Sequence, residues 1–561
     1  MDITGKIMSY LEKTSGISLI KREHRLVSDL HLSSKEIIDF AIFFYGISEK
    51  KISFGRDLSV GEILQMCECR ENMGNFNAYD YFFVERNLKR NNGSSYVIIS
   101  DAEKITYEQF CHMVEIDYAT FFREISDCSR MGILLPDSGI QQVFYWGGIK
   151  HGLTSAIFPV NESADSVISI MKRAKIDLII TDEEHRDILE LIRAEGTIRR
   201  AYTVDSGNII PRWYSETSSI RKKEGKMILF SSGTTGIYKG VIHGQKDIKV
   251  AAETYGEQIL KLTPNDIMYS MSHLNYGFAF TNSTFQTFYG GAASIIDKDT
   301  DIWTIAANIN KYKPTVLCGV PALFEAIGEI ASLGKTDVSS VRLALSSGEK
   351  ISDRLWNFWK ENFGITIIDG YGSVEMVTNV LSNSLDNYVK GSSGKMLEGF
   401  EADFEVLSDD IKLLKVKGDS ISNITIDSDD NTSDTYCTND IFMVDNDGFF
   451  WYKGRADDVY KVNGMWFNPV LIENYLENLP NIKGASIVNL DMRLTAFIIT
   501  DECDNFGKEQ AISINKYLKH SEGQNICPDM YVLVNELPRN KNGKKIRIKP
   551  NNESIIRSIE V

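Results

Sequence analysis

The chain has 561 residues, 43% hydrophobic and 25% charged, with a formal net charge of −16, the balance of a globular protein long enough for several domains. The acidic excess argues against a nucleic-acid partner, which would call for a basic face, and no apolar run is long enough to span a bilayer. The opening Met-Asp-Ile-Thr-Gly-Lys lacks the charged-then-apolar pattern of a signal peptide, and the eight cysteines are scattered, with only Cys67 and Cys69 close together. This predicts reduced thiols, a cytoplasmic location and no structural metal.

In chain order, residues 1–70 read as helical: Ile3, Ile7 and Leu11 recur at helical spacing, as do Ile37, Ile38, Ala41, Phe44 and Tyr45. Asp29-Leu30-His31-Leu32-Ser33-Ser34 precedes the second of these patterns. It resembles the Asp-Leu-Gly-Leu-Asp-Ser signature of acyl carrier domains, in which the serine bears phosphopantetheine, and so implies a small carrier-like domain modified at Ser34. Ser34 serves equally well as an ordinary helix N-cap. Residues 1–70 also carry ten acidic and ten basic side chains, where carriers are typically acidic. The polar stretch 71–75 reads as a linker.

From 76 to 453, short apolar runs alternate with amphipathic helical patterns. Ser95–Ile99, Met131–Leu135, Ile176–Thr181, Met227–Phe230, Thr315–Gly319 and Val341–Leu345 are the predicted strands, and the alternation predicts an α/β core with parallel sheets. The strand at 227 runs into Phe230-Ser231-Ser232-Gly233-Thr234-Thr235-Gly236-Ile237-Tyr238-Lys239-Gly240. Glycines that present backbone N–H groups, several hydroxyls and one lysine suit a polyphosphate. The order Lys239-Gly240 sets the loop apart from a Walker A sequence.

Further along, Ser272–Ser283 is aromatic and rich in small residues, with no carboxylate. Asp369-Gly370-Tyr371-Gly372-Ser373-Val374-Glu375-Met376 pairs an aromatic with a carboxylate, and Mg²⁺ beside phosphates prefers such oxygen ligands. Tyr436-Cys437-Thr438-Asn439-Asp440 and the charged run Gly454–Gly464 follow. The region from 454 to 561 reads as a small α+β lid, ending in Leu537-Pro538-Arg539-Asn540-Lys541-Asn542-Gly543-Lys544-Lys545-Ile546-Arg547.

Taken together, these motifs resemble the signatures of the adenylate-forming superfamily: acyl-CoA ligases, adenylation domains of peptide synthetases, and luciferases. The resemblance implies a large α/β core with a small β-barrel-like part, followed by a mobile lid. It implies ATP and Mg²⁺, with Ser232, Gly233, Thr234, Thr235, Gly236, Lys239, Gly348, Glu349, Asp369, Tyr371, Gly372, Ser373, Asp440 and Arg455 around the nucleotide and Glu375 on the metal. Tyr371 would stack on adenine and Asp440 would bind the ribose. Asp457 would be the hinge, Lys461 would enter the site for thioester formation, and Lys544 would bridge carboxylate and α-phosphate. Three positions depart from the pattern: Tyr238 for proline, Val374 for threonine and Asn439 for glycine.

The pocket segment resembles that of benzoate-CoA ligases and aryl-acid adenylation domains, as do Phe76-Asn77-Ala78-Tyr79-Asp80 and Glu85-Arg86-Asn87-Leu88. His273, Asn275, Tyr276, Gly277 and Phe278 would line it, and an aryl or related non-amino carboxylic acid is the implied substrate. The acceptor would be a pantetheine thiol. It could belong to the fused carrier, primed by a phosphopantetheinyl transferase in a starter-loading module for polyketide or peptide assembly. It could equally be free CoA, with residues 1–70 a docking domain. A binding or scaffold protein with a decayed site is the reading from another class.

Overall fold

The computed structural model describes residues 3–17, 20–21, 24–33, 35–37, 39–40, 59–60, 76–196, 198–214, 225–232, 238–408, 411–428, 433–462, 465–490, 493–500, 506–521, 527–539 and 545–561. The chain divides into two compact units, Met1–Asn77 and Ala78–Val561.

In the first unit, Ile7 and Leu11 of the helix Ile3–Ser15 are fully buried, as their spacing on one face requires. They close a small core with Ile20, Leu26, Leu30, Leu32, Phe40 and Val60. The following helical turn is capped by Ser33. Glu36 N donates to Ser33 Oγ at 3.4 Å, while the Glu36 carboxylate accepts from the Ser33 backbone N–H at 2.8 Å and from its hydroxyl at 2.6 Å. This reciprocal box gives the N-cap role to Ser33; Ser34 itself lies outside the described residues.

The second unit is built on two large sheets. The seven-stranded sheet runs in the order Asn208–Tyr214, Arg200–Asp205, Leu178–Asp182, Arg130–Leu134, Thr154–Ile157, Met227–Ser232, Tyr238–His243. Its inner pairings are parallel and both edge pairings antiparallel. The nine-stranded sheet has parallel neighbours from Tyr96–Ile99 through Ala293–Ile295, Ile267–Ser270, Val316–Gly319 and Leu343–Ser346 to Ile367–Gly372, with antiparallel strands beyond each end. Strands such as Leu178–Asp182 and Leu343–Ser346 are buried almost throughout rather than alternately, because helices cover both faces of a parallel sheet. Several of those helices start on side-chain caps: Ser138, Ser163, Asp301 and Ser352 each accept a backbone N–H of the first turn.

The strand predicted over 341–345 is observed as Leu343–Ser346. Val341 instead closes a turn on Val338 (N to O 3.0 Å), and the Arg342 side chain turns to Asp266, with Nε to Oδ1 at 2.7 Å. The part expected to be barrel-like is a four-stranded antiparallel sheet, Phe400–Ser408, Ile411–Gly418, Thr435–Val444 and Phe450–Arg455. Beyond it comes a smaller C-terminal sheet of Ile482–Leu490, Arg493–Thr500, Met530–Val534 and Ile555–Glu560. The helix Pro469–Glu477 packs on this sheet over its own core of Phe467, Ile472, Leu476, Ala496 and Tyr531. The expected lid boundary at 454 falls within the last strand of the four-stranded sheet.

Parallel strands Leu343–Ser346 and Ile367–Gly372 run side by side, with Ser346 opposite Asp369. Their C-terminal ends therefore deliver Gly348, Glu349, Asp369 and Tyr371 to one edge, where open α/β sheets bind ligands.

Candidate active site

The glycine-rich loop is the turn of an antiparallel hairpin: Ser232 pairs with Tyr238 and Ser231 with Lys239. Gly233, Thr234, Thr235 and Gly236 lie outside the described residues, as does the side chain of Ser232. Gly240 is required by packing, since a Cβ there would meet Ile426 Cγ2 at 2.8 Å and Phe230 Cε1 at 2.9 Å. Tyr238, which stands where proline was expected, is buried. Its hydroxyl lies 3.2 Å from Glu162 Oε1, and its carbonyl accepts from Arg173 at 2.8 Å. The tyrosine thus anchors the loop's exit by contacts where proline would stiffen it through its ring.

Lys239 reaches across 136 residues to Glu375, Nζ to Oε1 2.5 Å. The Glu375 side chain is only 6% exposed. Burial alone would push its carboxyl up, but the Lys239 ammonium outweighs burial and holds it below the usual carboxylate range. The Glu375 backbone is fixed by Ser422, whose N–H donates to its carbonyl at 2.9 Å. Just before it, the Val374 carbonyl lies 2.7 Å from His243 Nε2, and that histidine is fully buried with Asp247 Oδ2 at 3.3 Å from Nδ1. The Ser373 hydroxyl is buried beside Glu375, close enough to help lower that carboxyl.

A second chain of contacts runs beside the first. Tyr371 donates its phenol to Asp440 Oδ2 at 2.5 Å, and Arg455 lies 3.7 Å from the other carboxylate oxygen. Arg455 also reaches Asp457 at 3.4 Å, and the Asn439 amide lies 3.5 Å from the same aspartate. Asn439 takes a φ of 61°, the left-handed conformation that asparagine tolerates. Tyr371 packs edge-on against Phe442, ring centroids 4.9 Å apart. Tyr436 joins the two chains, its ring centroid 5.7 Å from the Lys239 ammonium.

Gly348 has a φ of 92°, and no heavy atom lies within 4 Å of where a Cβ would stand, so the backbone there is open to a ligand. Asp369 is buried. Burial raises its carboxyl to about 7 against the lowering pull of the Lys350 ammonium and the N–H groups of Ile351 and Gly370. Among the described residues no group of three or more His, Cys, Asp or Glu could cage a metal. Glu375 alone fits Mg²⁺ that arrives on phosphates and keeps most of its other oxygen ligands.

In the pocket segment, Asn275 and Gly277 border a small apolar cavity of about 10 Å³ with Tyr145, Ile228, Phe230 and Phe280. A Cβ on Gly277 would stand 3.1 Å from Val374 Cγ1, so Val374 packs against this segment from behind Gly277. Tyr276 and Phe278 flank the segment without lining the cavity. His273 is held by Asp137 Oδ2 at 3.1 Å and Thr300 Oγ1 at 2.9 Å. The hydrogen bond to Asp137 raises its pKa against the opposing effect of burial.

At the C-terminal end, Arg539 and Lys545 form an antiparallel bridge. Lys544 lies outside the described residues, as does the side chain of Lys461. Lys545 donates its backbone N–H to Glu349 at 2.9 Å, and its ammonium sits 3.2 Å from Glu473 and 3.1 Å from Glu477. Arg547 is forked onto Glu473 at 2.8 and 2.9 Å and also pairs with Asp458. Sequence reasoning missed Asp137 and gave no role to Tyr436, which opens the motif that ends in Asp440, or to Glu473. All three act through partners far away in the chain, which no local pattern reveals.

Comparison with known proteins gives these contacts a frame. Residues 84–418 match the family model of AMP-binding enzymes. The chain is 23% identical over 493 residues to a 4-hydroxybenzoate–CoA/benzoate–CoA ligase of Rhodopseudomonas palustris, covering 82% of this chain and 91% of the relative. It is 25% identical over 352 residues to a benzoate–CoA ligase of Thauera aromatica, covering 60% and 67%. In fold it is like the crystal structure of an anthranilate CoA ligase in complex with anthranoyl-AMP, with a TM-score of 0.72 and 24% identity over 84% of this chain and 95% of that one. The match to the family model spans more than half of the sequence, and the chain belongs to the AMP-binding enzymes.

Proposed function

We propose that the protein is an acid–thiol ligase. A carboxylate oxygen of the substrate attacks the α-phosphorus of ATP, the bond to the β-phosphate breaks, and pyrophosphate leaves. A pantetheine thiolate then attacks the acyl carbon and displaces AMP. The observation that carries this reading is the paired arrangement of Lys239–Glu375 and Tyr371–Asp440–Arg455. It sets one cation for phosphates, one buried carboxylate for a hard cation and one for ribose hydroxyls in a single neighbourhood.

Lys239 exchanges Glu375 for the β/γ-phosphates, which frees that carboxylate for the metal; bound Mg²⁺ supplies charge neutralisation there. Asp440 turns from the Tyr371 phenol to the ribose, and the Tyr371 ring takes the adenine. Gly348, Asp369, Gly372 and the Ser232–Gly236 loop complete the nucleotide contacts, and the Ser373 hydroxyl supplies the α-phosphate contact that Val374 lacks. Lys544 neutralises charge building on the α-phosphorus. The lid then pivots at Asp457 and brings in Lys461. The substrate is an aryl or similarly flat acid, since the residues around the cavity are mostly apolar and include no carboxylate to hold an α-ammonium. The names of the relatives favour CoA as the thiol.

Acid-dependent ATP–pyrophosphate exchange with aryl, fatty and amino acids side by side tests this. Exchange with benzoate-like acids is expected; none with any acid would sink the proposal in favour of a scaffold protein. The separate unit Met1–Asn77 favours a second reading, in which Ser34 carries phosphopantetheine and the acceptor is tethered, gaining effective concentration. Intact mass after incubation with CoA and a phosphopantetheinyl transferase decides it, with no mass gain removing the carrier.

A further inference from the structure

The geometry points to Glu349 as the positioning residue through which the core holds the lysine-bearing hairpin of the C-terminal region during adenylation. This rests on the ligase reading and on the role it gives Lys544. The base of that hairpin is the Arg539–Lys545 bridge, next to which Ile546 N donates to the Pro538 carbonyl at 3.0 Å. A bridged pair flanked by such a bond turns its own N–H groups out of the ribbon, and an outward N–H needs an acceptor. For Lys545 that acceptor is Glu349 Oε1, 2.9 Å away, from a segment 196 residues earlier. The other oxygen of Glu349 lies 3.9 Å from Arg539, the opposite side of the base. One carboxylate of the core thus reaches both sides of the bridged pair Arg539–Lys545, the residue next to Lys544 in sequence included.

The rest of the hairpin is gripped from its own side. The Lys545 ammonium and the Arg547 guanidinium converge on Glu473, which is 2% exposed and also accepts the Ile487 N–H at 2.8 Å. Glu473 keeps these side chains on the C-terminal sheet whatever the position of that region. Glu349 is the contact that a swing about Asp457 would break. Its placement follows from Gly348, whose positive φ turns the chain just before it. Glu349 was expected among the nucleotide contacts; here its carboxylate faces the hairpin.

The test compares Glu349→Ala and Glu349→Gln with the wild-type chain. Three measurements are made: ATP–pyrophosphate exchange, thioester formation from supplied acyl-adenylate and CoA, and hydrogen exchange of the Lys545 amide. The alanine variant is expected to lose about tenfold more in exchange kcat than in thioester formation, with KM for ATP little changed, because a hydrogen bond to a charged acceptor is lost. Glutamine keeps an acceptor for the Lys545 N–H and should recover part of the loss. The Lys545 amide should exchange about tenfold faster in the alanine variant. A KM for ATP that rises while kcat holds would make Glu349 a nucleotide contact and overturn the inference. Equal losses in both half-reactions, or an unchanged amide, overturn it too. Failure of the ligase reading is distinct: the wild type would then show no exchange with any acid, while the amide measurement would still decide the latch.

Discussion

Asp369→Asn isolates the cost of the buried carboxylate behind the nucleotide edge. Its folded-state value of about 7 stands against 3.8 for the same carboxyl exposed to water. Between these values the native protein holds a proton that the unfolded chain has released, so stability falls as pH rises toward 7 and is flat above it. At about 1.36 kcal/mol per unit, the interval from pH 5.5 to 7 is worth about 2 kcal/mol. The asparagine variant has no proton to lose there and can still accept the N–H groups of Ile351 and Gly370. Its stability relative to wild type should therefore rise by about 2 kcal/mol between pH 5.5 and pH 8. For a cooperative unit of roughly 400 residues, with an unfolding entropy of about 0.8 kcal/mol/K, that is a relative Tm gain of about 2–3 °C. Differential scanning calorimetry of both proteins across this range measures it. Parallel Tm–pH curves would refute the reasoning, since they would show an ordinary carboxylate at position 369.

Lys239→Ala should cut exchange more than tenfold and destabilise the fold by leaving Glu375 buried without its cation. Adding Glu375→Gln should recover stability, with a coupling of about 1–3 kcal/mol in urea unfolding, and additive losses would contradict the pairing. Gly277→Ala places a methyl 3.1 Å from Val374 Cγ1 and should raise KM for the acid by about tenfold, a cost of about 1–3 kcal/mol from overpacking. Combining it with Val374→Ala should reverse the effect, and an unchanged KM in the single variant would mean that the acid binds elsewhere. Glu473→Gln removes the charge shared by Lys545 and Arg547 and should weaken the C-terminal sheet by about 3–5 kcal/mol. Faster hydrogen exchange confined to 482–560 would report this, and unaltered protection would show that the cluster is dispensable.

The parallel strands were legible because strands covered on both faces are spelled as unbroken apolar runs, Leu178-Ile179-Ile180 being one. The chemistry-bearing loops were legible because their residue types are few and their order distinctive. The partners within the site were not legible. Lys239 and Glu375, or Tyr371 and Asp440, meet only through the packing of separate sheets, and a side chain's long-range partner leaves no periodicity behind. Ser33 shows the limit at short range: two adjacent serines offer the same cap, and only the reach of Glu36 chooses between them. Val374 was readable as a missing hydroxyl but not as a neighbour of Gly277, because the two sit on segments nearly a hundred residues apart.

The hairpin that carries the glycine-rich loop separates folding from chemistry. Ser232 and Tyr238 pair across a five-residue connection, and Lys239 lies on the strand beyond it, locked opposite Ser231. Doubling the length of such a connection adds only about 0.6 kcal/mol of closure entropy, so insertions there leave the sheet intact and the ammonium where it was. Variation in its length therefore comes at almost no cost to the scaffold, and a fluorescent or spin label could be built in at that point while the charge beside Glu375 stays in register.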